Sequence, residues 1–188
     1  MNKPSNFINR LSFQEYLSLG YIYLILLGLL TEVFYYNFIG INIMDYSSLS
    51  DVLLSPIKLL ARNVVIVYAL LTGFVVLFVY IKWILPKFQG ADAAVITPDK
   101  LGIAAAIMVL FFYLGLGIGM GSKYGKQLKA GKTMPDHEIT FANGENRQVK
   151  IMGRNSAYLF QVSKGSTQVA VIPIEGNVVQ IVKLGGGR

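Results

Sequence analysis

The carboxylate with the most unusual surroundings in this sequence belongs to Glu32, which has 16 uncharged residues before it and 12 after it. An ionisable residue inside such an apolar span costs about 2.5–3.5 kcal/mol or more, so it usually pairs with another charge or faces water. We expect an ion pair with Arg62 or Lys58, because either would join the first two apolar spans. The functional alternative is a carboxylate that faces a cation path or serves a proton relay.

Four closely spaced lysines form the second group of interest, because they follow the third apolar segment directly. Basic residues in that position bind the anionic headgroups of a membrane surface. In a symmetric ring they would form a basic mouth that repels cations and concentrates anions. The net charge of +7 therefore favours a lipid bilayer as partner, not a nucleic acid. The four residues are Lys123, Lys126, Lys129 and Lys132.

Residue types that catalyse reactions or bind metals are scarce. The sequence has no cysteine, which excludes disulfides and thiol chemistry. Its one histidine, His137, stands between two acidic residues, and we expect it to be a solvated turn residue. The run GLGIGMG matches a dinucleotide fingerprint by letters alone, since no strand precedes it. We therefore expect no enzyme activity, no cofactor and no metal site.

The composition indicates which elements must position these groups. Hydrophobic residues make up 54% of the chain and charged residues only 14%, where a soluble domain has about 25%. Three apolar segments are long enough to cross a bilayer as helices, at about 16–38, 63–85 and 101–122. Residues 1–15 form a polar N-terminal segment. The sequence thus predicts a multi-pass membrane domain over residues 16–122.

A short amphipathic helix is predicted between the first two spans, at about 48–61. Ser48 and Asp51 have the spacing of a capping box, and apolar residues recur at helical spacing behind them. Pro56 is expected to kink or restart this helix. Such a helix would lie in the membrane interface, and a re-entrant loop is the alternative.

The third span carries its glycines on two faces. Gly117, Gly121 and Gly125 are four residues apart and share one face, whereas Gly115 and Gly119 share the opposite one. Small residues at this spacing let helices approach closely within a bilayer. A helix with two such faces suits a ring of identical subunits, in which every helix has two neighbours. The alternative is a three-helix monomer with this helix in the middle.

After a basic linker at 123–133 the hydrophobic period changes to that of strands. Five short runs rich in valine, isoleucine and aromatic residues alternate with turn residues over 134–184. They predict a small antiparallel β domain, an Sm/SH3-like barrel or curled sheet. Residues 185–188, Gly-Gly-Gly-Arg, are interpreted as a tail, for which an expression remnant is one explanation.

This order of elements resembles that of the mechanosensitive channels of small conductance. The segment 143–178 has the rhythm of that family's β domain: strand, glycine, strand, turn, and a strand that ends in Ile-Pro. The resemblance implies a third helix that lines a pore and an Sm-like domain on the cytoplasmic side. That family's third helix has a long amphipathic continuation, whereas we expect Gly125 and Gly131 to end this one early. The matching positions are Val149, Ile151, Gly153, Val171, Ile172 and Pro173.

Two functions follow as hypotheses. The first is a homo-oligomeric ion channel, with third helices around the pore and β domains forming a collar. The alternative is a membrane-anchored interaction or sensor module, such as a signalling or defence effector, whose β domain binds a protein or small ligand. We expect the cell membrane as the location, with the C-terminal domain in the cytoplasm. That orientation gives the cytoplasmic side six basic residues against five and includes the lysine cluster.

Overall fold

The computed structural model describes residues 12–62, 64–85, 87 and 98–185. These residues form helices, a 3-10 turn at Ile43–Asp45 and one five-stranded sheet. The helices are α1 Phe13–Phe38, α2 Leu49–Arg62, α3 Val64–Val79 and α4 Pro98–Lys129, and a π-helical turn at Tyr80–Ile84 prolongs α3. The strands are β1 His137–Phe141, β2 Asn146–Arg154, β3 Tyr158–Ser163, β4 Ala170–Pro173 and β5 Val178–Lys183.

Three helical stretches are long and apolar enough to cross a membrane: Phe13–Phe38, Val64–Ile84 and Leu101–Lys129. The prediction of three span-length helices is thereby confirmed. α1 begins earlier than predicted, because Ser12 and Glu15 cap it. The Ser12 backbone N–H donates to Glu15 Oε2 at 2.6 Å, and the Ser12 hydroxyl accepts from the Glu15 backbone N–H at 3.4 Å.

The predicted amphipathic helix is α2, and its capping box is confirmed. Ser48 Oγ accepts from the Asp51 backbone N–H at 3.2 Å, and the Ser48 backbone N–H donates to Asp51 Oδ2 at 3.4 Å. The helix continues through Pro56, whose carbonyl oxygen accepts a hydrogen bond from the Tyr113 hydroxyl of α4 at 3.1 Å. α2 therefore packs against the other helices and does not stand apart from them.

α4 is longer than the sequence indicated. It continues through Gly125 as far as Lys129, so three of the four clustered lysines are helical and only Lys132 follows the helix. Gly131 ends it, with φ of +63° and its N–H donating to the Leu128 carbonyl. This is the left-handed C-terminal cap that glycine adopts most easily. The expectation that Gly125 ends the helix is corrected, since this glycine serves helix packing.

α1 and α4 pack closely along one row of glycines. A Cβ added to Gly117 would lie 2.6 Å from the Thr31 carbonyl oxygen, and one added to Gly121 would lie 2.9 Å from that of Tyr35. The same overlap occurs between Gly125 and the backbone of Phe38. Because the contacts follow the same order along both helices, α1 and α4 run in the same direction and end on the same side. α3 is far more exposed along its length.

The sheet is a purely antiparallel one with the order β4-β3-β2-β1-β5. Five strands were predicted and five are present. The sheet is not closed: among the described residues, β4 and β5 are its two edges and have no pairing with each other. A bulge between Ile151 and Gly153 bends β2, and a second irregularity follows Thr140 in β1.

Two apolar clusters hold the sheet. The first lies between one face of the sheet and the ends of α1 and α4, and it includes Tyr36, Leu128, Met152 and Phe160. The second covers the other face around Ile139, Val149 and Leu159. β3 is consequently buried on both faces. The β domain and the helices share one continuous core, so neither packs fully without the other.

Candidate functional site

A cavity of about 130 Å³, lined by apolar and charged side chains, lies where α1, α2 and α4 meet the end of β2. We call it the Glu32 cavity. Apolar and charged side chains line it together, which is unusual for a space between span-length helices. Its apolar walls include Leu59, Leu116, Met120 and Met152, and its charged ones are Glu32, Lys58 and Arg154.

Glu32 lies on α1 one turn before the region where that helix meets the sheet. The Ser55 and Ser47 side chains both lie near its carboxyl group. Its second oxygen, Oε2, is buried and has no hydrogen-bond partner among the described residues. A buried carboxylate oxygen in this state is unfavourable, because its lost hydration is not replaced. The cavity thus contains an acceptor that lacks a donor.

The ion pair expected from the sequence takes a different form. Glu32 and Lys58 line the same cavity, but the Lys58 ammonium lies 3.4 Å from Oδ1 of Asp51. The Lys58 side chain is also 53% exposed. The side chain of Arg62 lies outside the described part of the chain, so a Glu32–Arg62 pair stays a prediction.

Asp51 is a buried carboxylate whose oxygens are satisfied. Besides closing the cap of α2, it accepts from the Ser156 backbone N–H at 3.1 Å and from the Ser156 hydroxyl at 2.7 Å. Burial alone would raise the pKa of Asp51, but the hydrogen bonds from Ser156 and Ser48 outweigh it and lower the pKa from 3.8 to about 2. The carboxylate joins α2 to the turn between β2 and β3.

Three further contacts fasten the sheet to the helices. Asn155 Nδ2 donates to the Tyr46 carbonyl oxygen at 2.9 Å, and the Tyr35 hydroxyl donates to the Met152 carbonyl oxygen at 2.6 Å. The Tyr36 hydroxyl lies so close to Gly153 that a Cβ there would overlap it. The glycine that the sequence matched to a β-domain motif is therefore required by a contact with α1.

The two glycine faces of α4 differ in their surroundings. Gly117, Gly121 and Gly125 lie against α1, as described above. A Cβ added at Gly115 or Gly119 would meet nothing within 4 Å in the described part of the chain. Exposed apolar side chains border this second face, among them Phe111 at 67% and Ile118 at 41%. We call this the open face of α4.

The lysine cluster continues the open face. Ser122, Lys126 and Lys129 follow Ile118 at spacings of four, four and three residues, which keeps them on one side of the helix. All four clustered lysines are exposed. Lys126 and Lys129, two of the four clustered lysines, therefore lie on the same side of α4 as its apolar open face.

His137 is the first residue of β1, and not a turn residue. Its Nδ1 lies 2.7 Å from Oδ1 of Asp136, whose other oxygen accepts from the Lys150 ammonium at 2.6 Å. Burial would raise the pKa of Asp136, but the hydrogen bonds from Lys150 and His137 lower it. Within the described ranges, histidine and acidic residues form no group of three that could hold a metal ion.

Known proteins add no assignment to this geometry. Comparisons with protein-family models, with curated proteins and with solved structures found no match to the chain.

Proposed function

We propose that this chain is a multi-pass membrane protein that assembles with copies of itself into a small ion channel. In this proposal α1, α3 and α4 cross the bilayer. The sheet lies on the side where α1 and α4 end, and the lysine cluster favours the cytoplasm for that side. The protein would thus reside in the cell membrane with its β domain inside.

The observation that carries the proposal is the open face of α4. Close packing against α1 uses one row of glycines and leaves Gly115 and Gly119 with space beside them. In lipid, small residues are favoured where another helix approaches, because van der Waals contact drives helix association there. A second copy of α4 is the simplest neighbour for this face. Because α1 already fills the other row of glycines, the two-faced packing expected from the sequence is not available, and a ring requires the open faces of several copies to converge on one axis.

Such a ring would bring the apolar border of the open face toward its axis. Phe111 and Ile118 would form a hydrophobic constriction, which can gate by loss of water. Lys126 and Lys129 would then stand in rings at the mouth on the side of the sheet. Because rings of positive charge concentrate anions, we expect a weak conductance that favours anions over cations.

The sheet can contribute to the same assembly. Its edge strands β4 and β5 carry backbone groups that are not paired across the sheet, and such edges readily accept a strand from another chain. If β4 of one copy paired with β5 of the next, the open sheets would join into a continuous ring. That ring would be the predicted collar, and the sheet would be closed between subunits and not within one.

A second function, the membrane-anchored sensor or interaction module, is favoured by a different observation. The helices and the sheet share a core, and the buried Asp51 carboxylate connects them. Val179 on the edge strand β5 is 70% exposed, as a docking surface for another protein would be. In this function the β domain would bind a partner, and the shared core would transmit the resulting conformational change to the membrane helices.

Conductance measurements separate the two functions. The purified protein in liposomes is expected to pass a weak current with anions favoured. Replacing Lys123, Lys126, Lys129 and Lys132 by glutamine should reduce the anion-to-cation permeability ratio several-fold without abolishing the current. Replacing Lys164 and Lys183, on the β domain, by glutamine is the matched control and should leave the ratio unchanged. Silent bilayers under voltage and tension, with a folded and oligomeric protein, would favour the sensor module.

A further inference from the structure

The buried part of the Glu32 cavity contains a carboxylate oxygen without a hydrogen-bond donor, and a cation that carries N–H groups could supply one. Oε2 of Glu32 is buried and has no hydrogen-bond partner among the residues that the structure describes. Lys58 lines the same cavity, but its ammonium lies 3.4 Å from Oδ1 of Asp51. A buried anionic oxygen gains most from a donor that is itself charged. A ligand with N–H groups on a positive charge would satisfy it.

Aromatic side chains that line the same cavity favour the same chemistry. Tyr35 and Tyr36 both line the cavity, and their ring centroids are 5.0 Å apart in an edge-to-face arrangement. Aromatic rings stabilise cations electrostatically, and most strongly where water is excluded. Carboxylate and rings together therefore define the cavity as a site for an ammonium group.

The outer part of the cavity has the opposite charge. Lys58 and Arg154 line it with side chains that are exposed, so they mark the side on which the cavity opens. Two cationic side chains at an opening suit a phosphate, which arginine and lysine bind with charge-assisted hydrogen bonds. The negative charge of Glu32 therefore lies inside the cavity, and the positive charges of Lys58 and Arg154 lie at its opening.

We propose that the Glu32 cavity binds the headgroup of a phospholipid with a primary ammonium close to its phosphate, as in an ethanolamine headgroup. The ammonium would donate to Glu32 Oε2, and the phosphate would lie between Lys58 and Arg154. Leu59 and Leu116 offer apolar contact for the glycerol and the first acyl carbons. This inference depends on the proposed membrane placement, but not on channel activity.

The charge pattern also selects among lipids. A choline headgroup carries the same charge but has no N–H, so Oε2 would remain without a donor. An anionic glycerol headgroup would meet the basic rim but would bring no cation to Glu32. The site should therefore distinguish headgroups by the number of ammonium hydrogens and not by net charge alone.

Native mass spectrometry of the full chain, titrated with lipids of identical acyl chains, tests the proposal. The series is phosphatidylethanolamine, its N,N-dimethyl derivative, phosphatidylcholine and phosphatidylglycerol. We expect affinity to fall stepwise along the first three, by about tenfold in all. Equal affinity for the ethanolamine and choline lipids, or a preference for phosphatidylglycerol, would overturn the assignment. This series uses the unaltered protein, so it decides the question even if a variant fails to fold.

Single substitutions show which residues cause the lipid preference. Glu32→Gln should remove the preference for ethanolamine over choline, whereas Glu15→Gln, at the opposite end of α1, should retain it. Arg154→Gln should weaken the binding of both lipids alike. Lys164→Gln, an exposed cation on the β domain away from the cavity, should leave the preference intact; its loss in that variant, or its survival in Glu32→Gln, would contradict the proposal. Millimolar phosphoethanolamine should not displace the lipid, and displacement would assign the site to a soluble phosphoamine instead.

Discussion

The two glycine faces of α4 have the same residue type and spacing but different neighbours. Gly117, Gly121 and Gly125 accept the backbone of α1, whereas Gly115 and Gly119 have open space beside them. The first face is part of a packed side of the molecule that continues through the shared core into the sheet. The comparison shows that one row of glycines packs the protomer, whereas the other row has open space beside it in the described part of the chain.

The largest effect is expected from a substitution on the packed face. In Gly117→Leu the new side chain would begin 2.6 Å from the Thr31 carbonyl oxygen, so α1 and α4 must separate. Overpacking of this kind costs about 1–3 kcal/mol or more. The melting temperature in detergent should fall strongly, while Leu114→Ile, a volume-conserving change on the same helix, should barely alter it. An unchanged melting temperature in Gly117→Leu would refute the packing of α4 on α1.

The sequence predicted the spans, the strands and the cap of α2 from local signals, but the equally local Ser12–Glu15 cap of α1 was missed. Apolar length gave the three spans, alternation gave five strands, and the Ser48–Asp51 spacing gave the cap of α2. Gly125 was misread as a helix end, because a glycine required by a neighbouring backbone looks the same in sequence as one required by a turn.

Contacts between distant segments could not be predicted in this way. Ser156 donates a hydrogen bond to Asp51 across a separation of 105 residues. The sequence around either residue contains no pattern from which the other could be predicted. The sequence also paired Glu32 with Arg62 or Lys58, whereas the Lys58 ammonium lies beside Asp51, two turns earlier on the same helix. It also could not tell which of the two glycine faces α1 would fill.

The second-largest effect on stability is expected from Asp51, the carboxylate that joins α2 to the turn between β2 and β3. The pKa of Asp51 falls from 3.8 to about 2 on folding, which corresponds to roughly 2 kcal/mol of stability. Since the folded-state pKa is the lower one, this stability is present above about pH 4 and is lost as the pH falls toward 2.

Asp51→Asn should accordingly destabilise the protein at neutral pH and flatten its acid sensitivity. The measurement is the melting temperature in detergent at pH 6 and at pH 2.5. Glu175→Gln, an exposed carboxylate on the turn between β4 and β5, is the control and should follow the unaltered protein. If Asp51→Asn melted like the unaltered protein at both pH values, Asp51 would not join α2 to the sheet.

A smaller effect is expected on the open face, and of a different kind. Gly119→Leu meets nothing within 4 Å in the described part of the protomer, so the protomer should keep its melting temperature. A leucine there would hold a second helix at a distance, and we expect the assembly to dissociate about tenfold more readily. Native mass spectrometry over a dilution series gives that ratio, and equal dissociation of both proteins would contradict the role of this face.

Cysteine cross-linking tests most directly whether a second copy lies on the open face of α4. The chain has no cysteine, so a single Gly119→Cys substitution introduces the only thiol. Two such residues form a disulfide only if their Cα atoms approach within roughly 7 Å. We predict an oxidant-dependent, reducible dimer in membranes for Gly119→Cys, and none for Leu71→Cys on the exposed surface of α3. Cross-linking of Leu71→Cys alone, or of both variants at equal rates, would contradict the account.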